Sequence, residues 1–297
     1  MSVKAGKTKN MMNKNNFYAW MITALVAVSC TKNEVSNYTE DQTLTIVADI
    51  ASQSRVPKLG EDGSGTFAKG DVMTFCVGNN IHLDYAYQQD VLTWDDLNPS
   101  GAAKQVKLAV CYPKQTVSQE GTFEFNTQMA DYGDLLLSPA QSVTSGTVGT
   151  IRLTFNHALH CLDLSFIAGD GYSADDLKNL TLSLNAKTTC VVDAFQGVIK
   201  EVKSVKGDYN VTGTKASFCL VPQATADIIL NITVGSEKKT MPLSDLLQQL
   251  GTPQADLKGG AKSSITLKVG RDGIVIESGS IGAWEDQVTV DGELTIG

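Results

Sequence analysis

The clearest residue able to do chemistry in this sequence is a thiol. An apolar run over residues 17–28, interrupted only by Thr23, ends in Ala27-Val28-Ser29-Cys30, and four lysines (Lys4, Lys7, Lys9, Lys14) with no acidic residue precede it. A basic start, a short apolar core and small residues at its exit make an export signal. At 12 residues the run falls well short of the roughly 20 that span a bilayer. The ending matches a bacterial lipobox, in which the cysteine accepts a diacylglycerol and the bond before it is cut. Cys30 is therefore the expected lipidation site, and the polar Thr31-Lys32-Asn33-Glu34 after it reads as a tether. An ordinary signal with an incidental cysteine is the alternative.

The other reactive side chains are poorly spaced for catalysis or metal binding. His157 and His160 stand three apart, which would suit a shared metal on a helix, but they lie in a strand pattern that sends them to opposite faces. Structural roles are expected for both, and no metal site or cofactor is expected. Cys76, Cys111, Cys161, Cys190 and Cys219 are at least 29 residues apart, so there is no Cys-x-x-Cys pair. Each sits among apolar neighbours and reads as a small buried hydrophobe. An odd number leaves at least one thiol unpaired even where oxidation is possible. No nucleophile elbow, phosphate-binding loop or His-Glu-x-x-His helix occurs, so an enzyme is not expected. Tyr85 and Tyr87 share one face of a strand and, with Trp94, could stack a sugar. Core packing explains them equally well.

The elements that would position these residues are strands. Residues 43–51 alternate, with Leu44, Ile46, Ala48 and Ile50 on one face, and a Gly-, Ser- and Asp-rich loop over 52–65 follows, with Arg55 near its start. Exposed loops of this composition are where proteases cut. Short strands are expected at 71–77, 106–112, 122–125, 180–184, 216–221 and 227–234, with a hairpin at 264–277 turning through Gly270-Arg271-Asp272-Gly273. A shorter hairpin is expected at Asp291-Gly292. Residues 150–166 read as two strand pieces with a bend at Asn156-His157-Ala158. A helical turn is expected within 129–139, and brief helices at 174–180 and 243–250. The spacing suggests an all-β sandwich rather than alternating strands and helices.

Removing the first 29 of 297 residues leaves 268, enough for two domains, and the Ser/Thr/Gly-rich stretch 142–149 marks the expected boundary. The formal charge is −8, and without the four lysines of the signal it becomes −12. So acidic a chain is repelled by phosphate backbones, which argues against nucleic acid as a partner.

The sequence resembles the fimbrillin-like lipoproteins of Bacteroidota, which include type V pilus subunits. The resemblance rests on the lipobox at Cys30, Ser54-Arg55, Phe67-Ala68-Lys69-Gly70-Asp71, Ala109-Val110-Cys111-Tyr112-Pro113 and Asp134-Leu135-Leu136. It continues through Leu153-Thr154-Phe155-Asn156-His157-Ala158-Leu159, Leu220-Val221-Pro222-Gln223 and Ser280-Ile281-Gly282-Ala283-Trp284. Ser-Arg-Val-Pro stands where the family often has Thr-Arg-Ala, and Phe67 where it often has tryptophan.

The resemblance implies two tandem transthyretin-like Greek-key sandwich domains, 30–148 and 149–297, after a signal at 1–29 and a tether over 30–42. It implies a pilus subunit or accessory adhesin, carried to the outer membrane by its lipid and cut between Arg55 and Val56 by a trypsin-like protease. The first strand, within 43–55, would then leave. Its groove would take a neighbouring subunit's tail strand, within 285–297, where Val288, Val290, Leu294 and Ile296 supply the apolar side chains. The alternative is a monomeric surface lipoprotein that binds glycans.

Overall fold

The computed structural model describes residues 43–51, 67–78, 80–129, 133–144, 150–250 and 254–284. The signal 1–29, Cys30, the tether 30–42, Arg55, Val56, the Asp291-Gly292 turn, and Val288, Val290, Leu294 and Ile296 lie outside the described residues.

Strands dominate, as the alternating pattern predicts. The first nine are β1 (Thr43–Ile50), β2 (Val72–Val77), β3 (Ile81–Ala86), β4 (Leu92–Thr93), β5 (Gln105–Tyr112), β6 (Thr122–Asn126), β7 (Leu136–Thr144), β8 (Thr150–His157) and β9 (His160–Ala168). Next come β10 (Thr181–Lys187), β11 (Thr189–Asp193), β12 (Val198–Val202), β13 (Lys206–Thr212), β14 (Lys215–Leu220) and β15 (Gln223–Ala224). The last are β16 (Ile229–Val234), β17 (Glu237–Pro242), β18 (Asp256–Leu257), β19 (Ala261–Val269) and β20 (Ile274–Ala283). Two short helices interrupt them, α1 (Trp94–Leu97) and α2 (Leu243–Leu247).

The largest sheet runs β3-β2-β5-β7-β8-β1-β4, and two four-stranded sheets run β13-β10-β16-β17 and β14-β9-β19-β20. A three-stranded sheet, β12-β11-β6, joins strands from both halves of the chain. Pairing is antiparallel except for β1 with β8 and β9 with β19.

Three apolar clusters fill the space between sheets. One draws on residues between Leu44 and Phe155, and a second on residues between Leu162 and Ile274. The third combines Cys76, Cys111, Phe125 and Leu135 with Leu159, Cys190, Val192 and Val221, so both halves supply it. The changeover between the two larger clusters falls between Phe155 and Leu162, where Leu159 joins the third cluster. β8 belongs to the first half's sheet, because it hydrogen-bonds to β1 and β7. Ile151, Leu153 and Phe155 alternate inward along β8 and seal the first cluster.

Two local expectations need correction. Residues 136–139 extend as part of β7 rather than coiling, and 142–144 finish that strand rather than forming a link. Val143 is buried against Val106, its direct partner on β5, which holds this polar-looking stretch in the sheet. Around 174–180 the helical turn is a short 3-10 segment, Asp176–Asn179, opened by Ser173, whose N–H and hydroxyl both donate to the Asp176 carboxylate at 2.7 Å.

Candidate strand-exchange site

β1 is an inward-outward strand whose Leu44, Ile46 and Ala48 side chains are 6, 5 and 4 % exposed. Ile50 is half-buried against the same cluster. Its parallel register with β8 runs from Thr45 opposite Thr150 to Ile50 opposite Phe155, and Ala51 N–H extends it to Phe155 O at 2.6 Å. On its other side, among the described residues, β1 meets only the two residues of β4.

β8 depends on this contact. Its pairing with β7 covers one end, Leu136 opposite His157 and Leu137 opposite Asn156. The Gln141 side-chain amide also donates to Arg152 O at 2.8 Å. Among the described residues, the ladder partner of β8 over residues 150–155 is β1.

Phe67, the first described residue after the 52–66 stretch, closes the end of this groove. Its ring lies 4.8 Å from Phe155, 5.2 Å from Tyr112 and 6.0 Å from Tyr87, centroid to centroid. The turn behind it is built by Gly70 at φ +95°, by the Asp71 carboxylate accepting from Ala68 N–H at 2.7 Å, and by Asp71 O accepting from Tyr87 N–H at 2.8 Å. A side chain at residue 70 would be strained in that left-handed conformation.

Tyr85 and Tyr87 are 5 and 6 % exposed, which corrects the expectation of a sugar-stacking platform. Tyr85 packs on Phe75 at 5.0 Å, and burial pushes its hydroxyl pKa up. Trp94 opens α1 and packs half-buried against the same cluster. The alternation at 85 and 87 is thus a core signal.

His157 and His160 are structural, each held by its own partners. His160 is fully buried, donating from Nδ1 to Lys258 O and accepting at Nε2 from the Ser263 hydroxyl, both at 3.0 Å. Burial pushes its pKa down to about 4, against a smaller upward pull from the Lys258 carbonyl. His157 donates from Nδ1 to the Asp134 carboxylate at 2.7 Å and stacks on Trp284, with centroids 4.0 Å apart and planes within 2°. Its buried Nε2 has no hydrogen-bond partner among the described residues. No metal-ligating cluster forms among the described residues, and none of their helices is long and apolar enough to cross a membrane.

Nothing in the sequence shows that Asp134, His157 and Trp284 meet. The same holds for Phe67, Tyr112 and Phe155. Each belongs to a different short motif, and no periodicity links residues so far apart.

The fimbrillin-like family model matches residues 100–284, from the loop before β5 to Trp284 itself. The chain belongs to the fimbrillin-like family. Solved structures share the fold of this fimbrillin-like chain at low identity. A candidate cell-adhesion protein from Bacteroides uniformis is 18 % identical, with 82 % of this chain and 98 % of that one covered at a TM-score of 0.61. One from Bacteroides ovatus is 14 % identical, with coverage of 82 and 98 % and a TM-score of 0.55. A third, from Bacteroides thetaiotaomicron, is 15 % identical, with coverage of 76 and 93 % and a TM-score of 0.51. None of the curated proteins matches the sequence.

Proposed function

We propose that this protein is a structural or accessory subunit of a cell-surface pilus with a role in adhesion, and that it assembles by replacing β1 with a strand of a neighbouring subunit. The observation that carries the reading is the dependence of β8 on β1 over residues 150–155. Loss of β1 would leave a row of backbone N–H and C=O groups unpaired and open an apolar slot that another strand can fill. Burying Leu44 and Ile46 alone is worth about 3–6 kcal/mol. An empty slot would therefore be strongly disfavoured.

In this reading Cys30 carries the outer-membrane lipid, and a trypsin-like protease cuts between Arg55 and Val56. That cut leaves β1 attached to the rest only through non-covalent contacts, because β1 precedes Arg55 in the chain. The replacement strand comes from residues 285–297, whose Val288, Val290, Leu294 and Ile296 suit a slot made for Leu44, Ile46, Ala48 and Ile50. The two larger apolar clusters are then the cores of two transthyretin-like sandwich domains in tandem. Adhesion is supported by family membership and by the cell-adhesion descriptions of the similar structures.

The test is a chain ending at Trp284. It should fold and be processed but add no further subunit, giving no ladder in a gel without boiling. A normal ladder from the truncated chain would rule out the tail as donor.

A further inference from the structure

Cys161 on β9 stands directly opposite Cys219 on β14. The kind of pair follows from the ladder. Phe166 N–H donates to Thr214 O at 2.9 Å, one step beyond the register pair of Ser165 with Lys215. Hydrogen-bonded and non-hydrogen-bonded pairs alternate in an antiparallel ladder. Counting back from Phe166, the pairs at Leu164, Leu162 and His160 are hydrogen-bonded, and those at Ser165, Asp163 and Cys161 are not.

At non-hydrogen-bonded pairs the Cα atoms approach to about 4.5 Å and the side chains come closest. That lies within the roughly 4.4–6.8 Å that a disulfide spans. Both thiols are on one face, since Cys161 Sγ lies 3.6 Å from Asp163 Oδ1 and 4.0 Å from Ser217 Oγ, and Ser217 is two residues from Cys219. The remaining thiols lack this arrangement. Cys76 is opposite Ala109 and Cys111 opposite Thr74, so these two thiols, whose side chains interact, meet only diagonally across β2 and β5, and Cys190 is opposite Phe125 and Val202.

We propose that Cys161 and Cys219 form a cross-strand disulfide that staples β14 to β9. Among the described residues β14 is an edge of its sheet, held on one side only. Edge strands are the first to fray or to exchange. The bond forms by loss of two protons and two electrons from the thiols. A disulfide, either small such as oxidised glutathione or borne by a dithiol oxidoreductase, accepts both and leaves as two thiols. Burial, with Asp163 adding at Cys161 and Asp134 at Cys219, pushes both thiol pKa values up to about 12. Folded protein therefore holds little thiolate, and the bond is made while the chain is still folding. This inference is independent of whether Arg55 is cut.

The full chain, unfolded in urea and refolded in a mixture of reduced and oxidised glutathione, is alkylated in denaturant and digested without reduction. Mass spectrometry should find the Cys161 peptide joined to the Cys219 peptide, and the oxidised protein should melt several degrees above the reduced one. The C219S variant should leave Cys161 fully alkylated. Alkylation of both thiols in the wild-type chain, a link from either to another cysteine, or equal melting of the oxidised and reduced forms would overturn the proposal.

Discussion

Trp284 lies flat on His157, with ring centroids 4.0 Å apart, and so ties the end of β20 to the end of β8. Trp284 N–H also donates to Gly260 O at 3.0 Å. Residues 285–297 therefore begin from a fixed point beside the Asp134–His157 pair.

Removing that anchor should be felt throughout the fold. Trp284→Ala is expected to cost about 1–3 kcal/mol, the worth of a half-buried ring and its stacking partner. Urea denaturation followed by circular dichroism measures it, and Trp284→Phe should recover most of the loss. An unchanged midpoint for Trp284→Ala would show that the stack carries no stability.

Stability should fall with acid in a defined window because of His160. Its folded pKa, about 4, lies below the ordinary value of 6.5, so the unfolded chain binds the extra proton first. The neutral buried imidazole contributes fully above pH 6.5, and its contribution is lost as pH falls toward 4. The loss amounts to about 3 kcal/mol. Urea midpoints between pH 7 and pH 4 should trace it, and His160→Gln should flatten the curve across that range. A His160→Gln curve parallel to the wild type would contradict the assignment.

A substitution in β1 should separate precursor from polymer. Ile46 is 5 % exposed in the intact chain, so Ile46→Ala should destabilise the uncut protein by about 2–5 kcal/mol. If β1 is absent after assembly, polymer built from the variant should resist heat and detergent as well as wild type. Equal weakening of both forms would mean that β1 stays in place.

Much of the fold was legible wherever alternation was clean. Thr43–Ile50, Thr150–His157 and the hairpin of β19 and β20 follow directly from apolar residues at every second position. Two edge strands were not legible, because β13 (KGDYNVT) and β17 (EKKTMP) are solvated along most of their length and carry little apolar pattern. The site was legible only in part. Leu44, Ile46 and Ala48 read correctly as an inward face, whereas the parallel partnership with β8 depends on residues more than 100 positions away. Tyr85 and Tyr87 show the opposite difficulty. Period-two aromatics look the same in sequence whether they face a ligand or a core, and only the closeness of Phe75 and Phe67 decides it.

The central claim, removal of β1, is tested most directly by the N-terminal residue of the cell-associated protein, read by mass spectrometry of the assembled fraction. The account predicts a chain starting at Val56, with the fragment carrying Cys30 and β1 absent. A chain starting at lipidated Cys30 in that same fraction would contradict it.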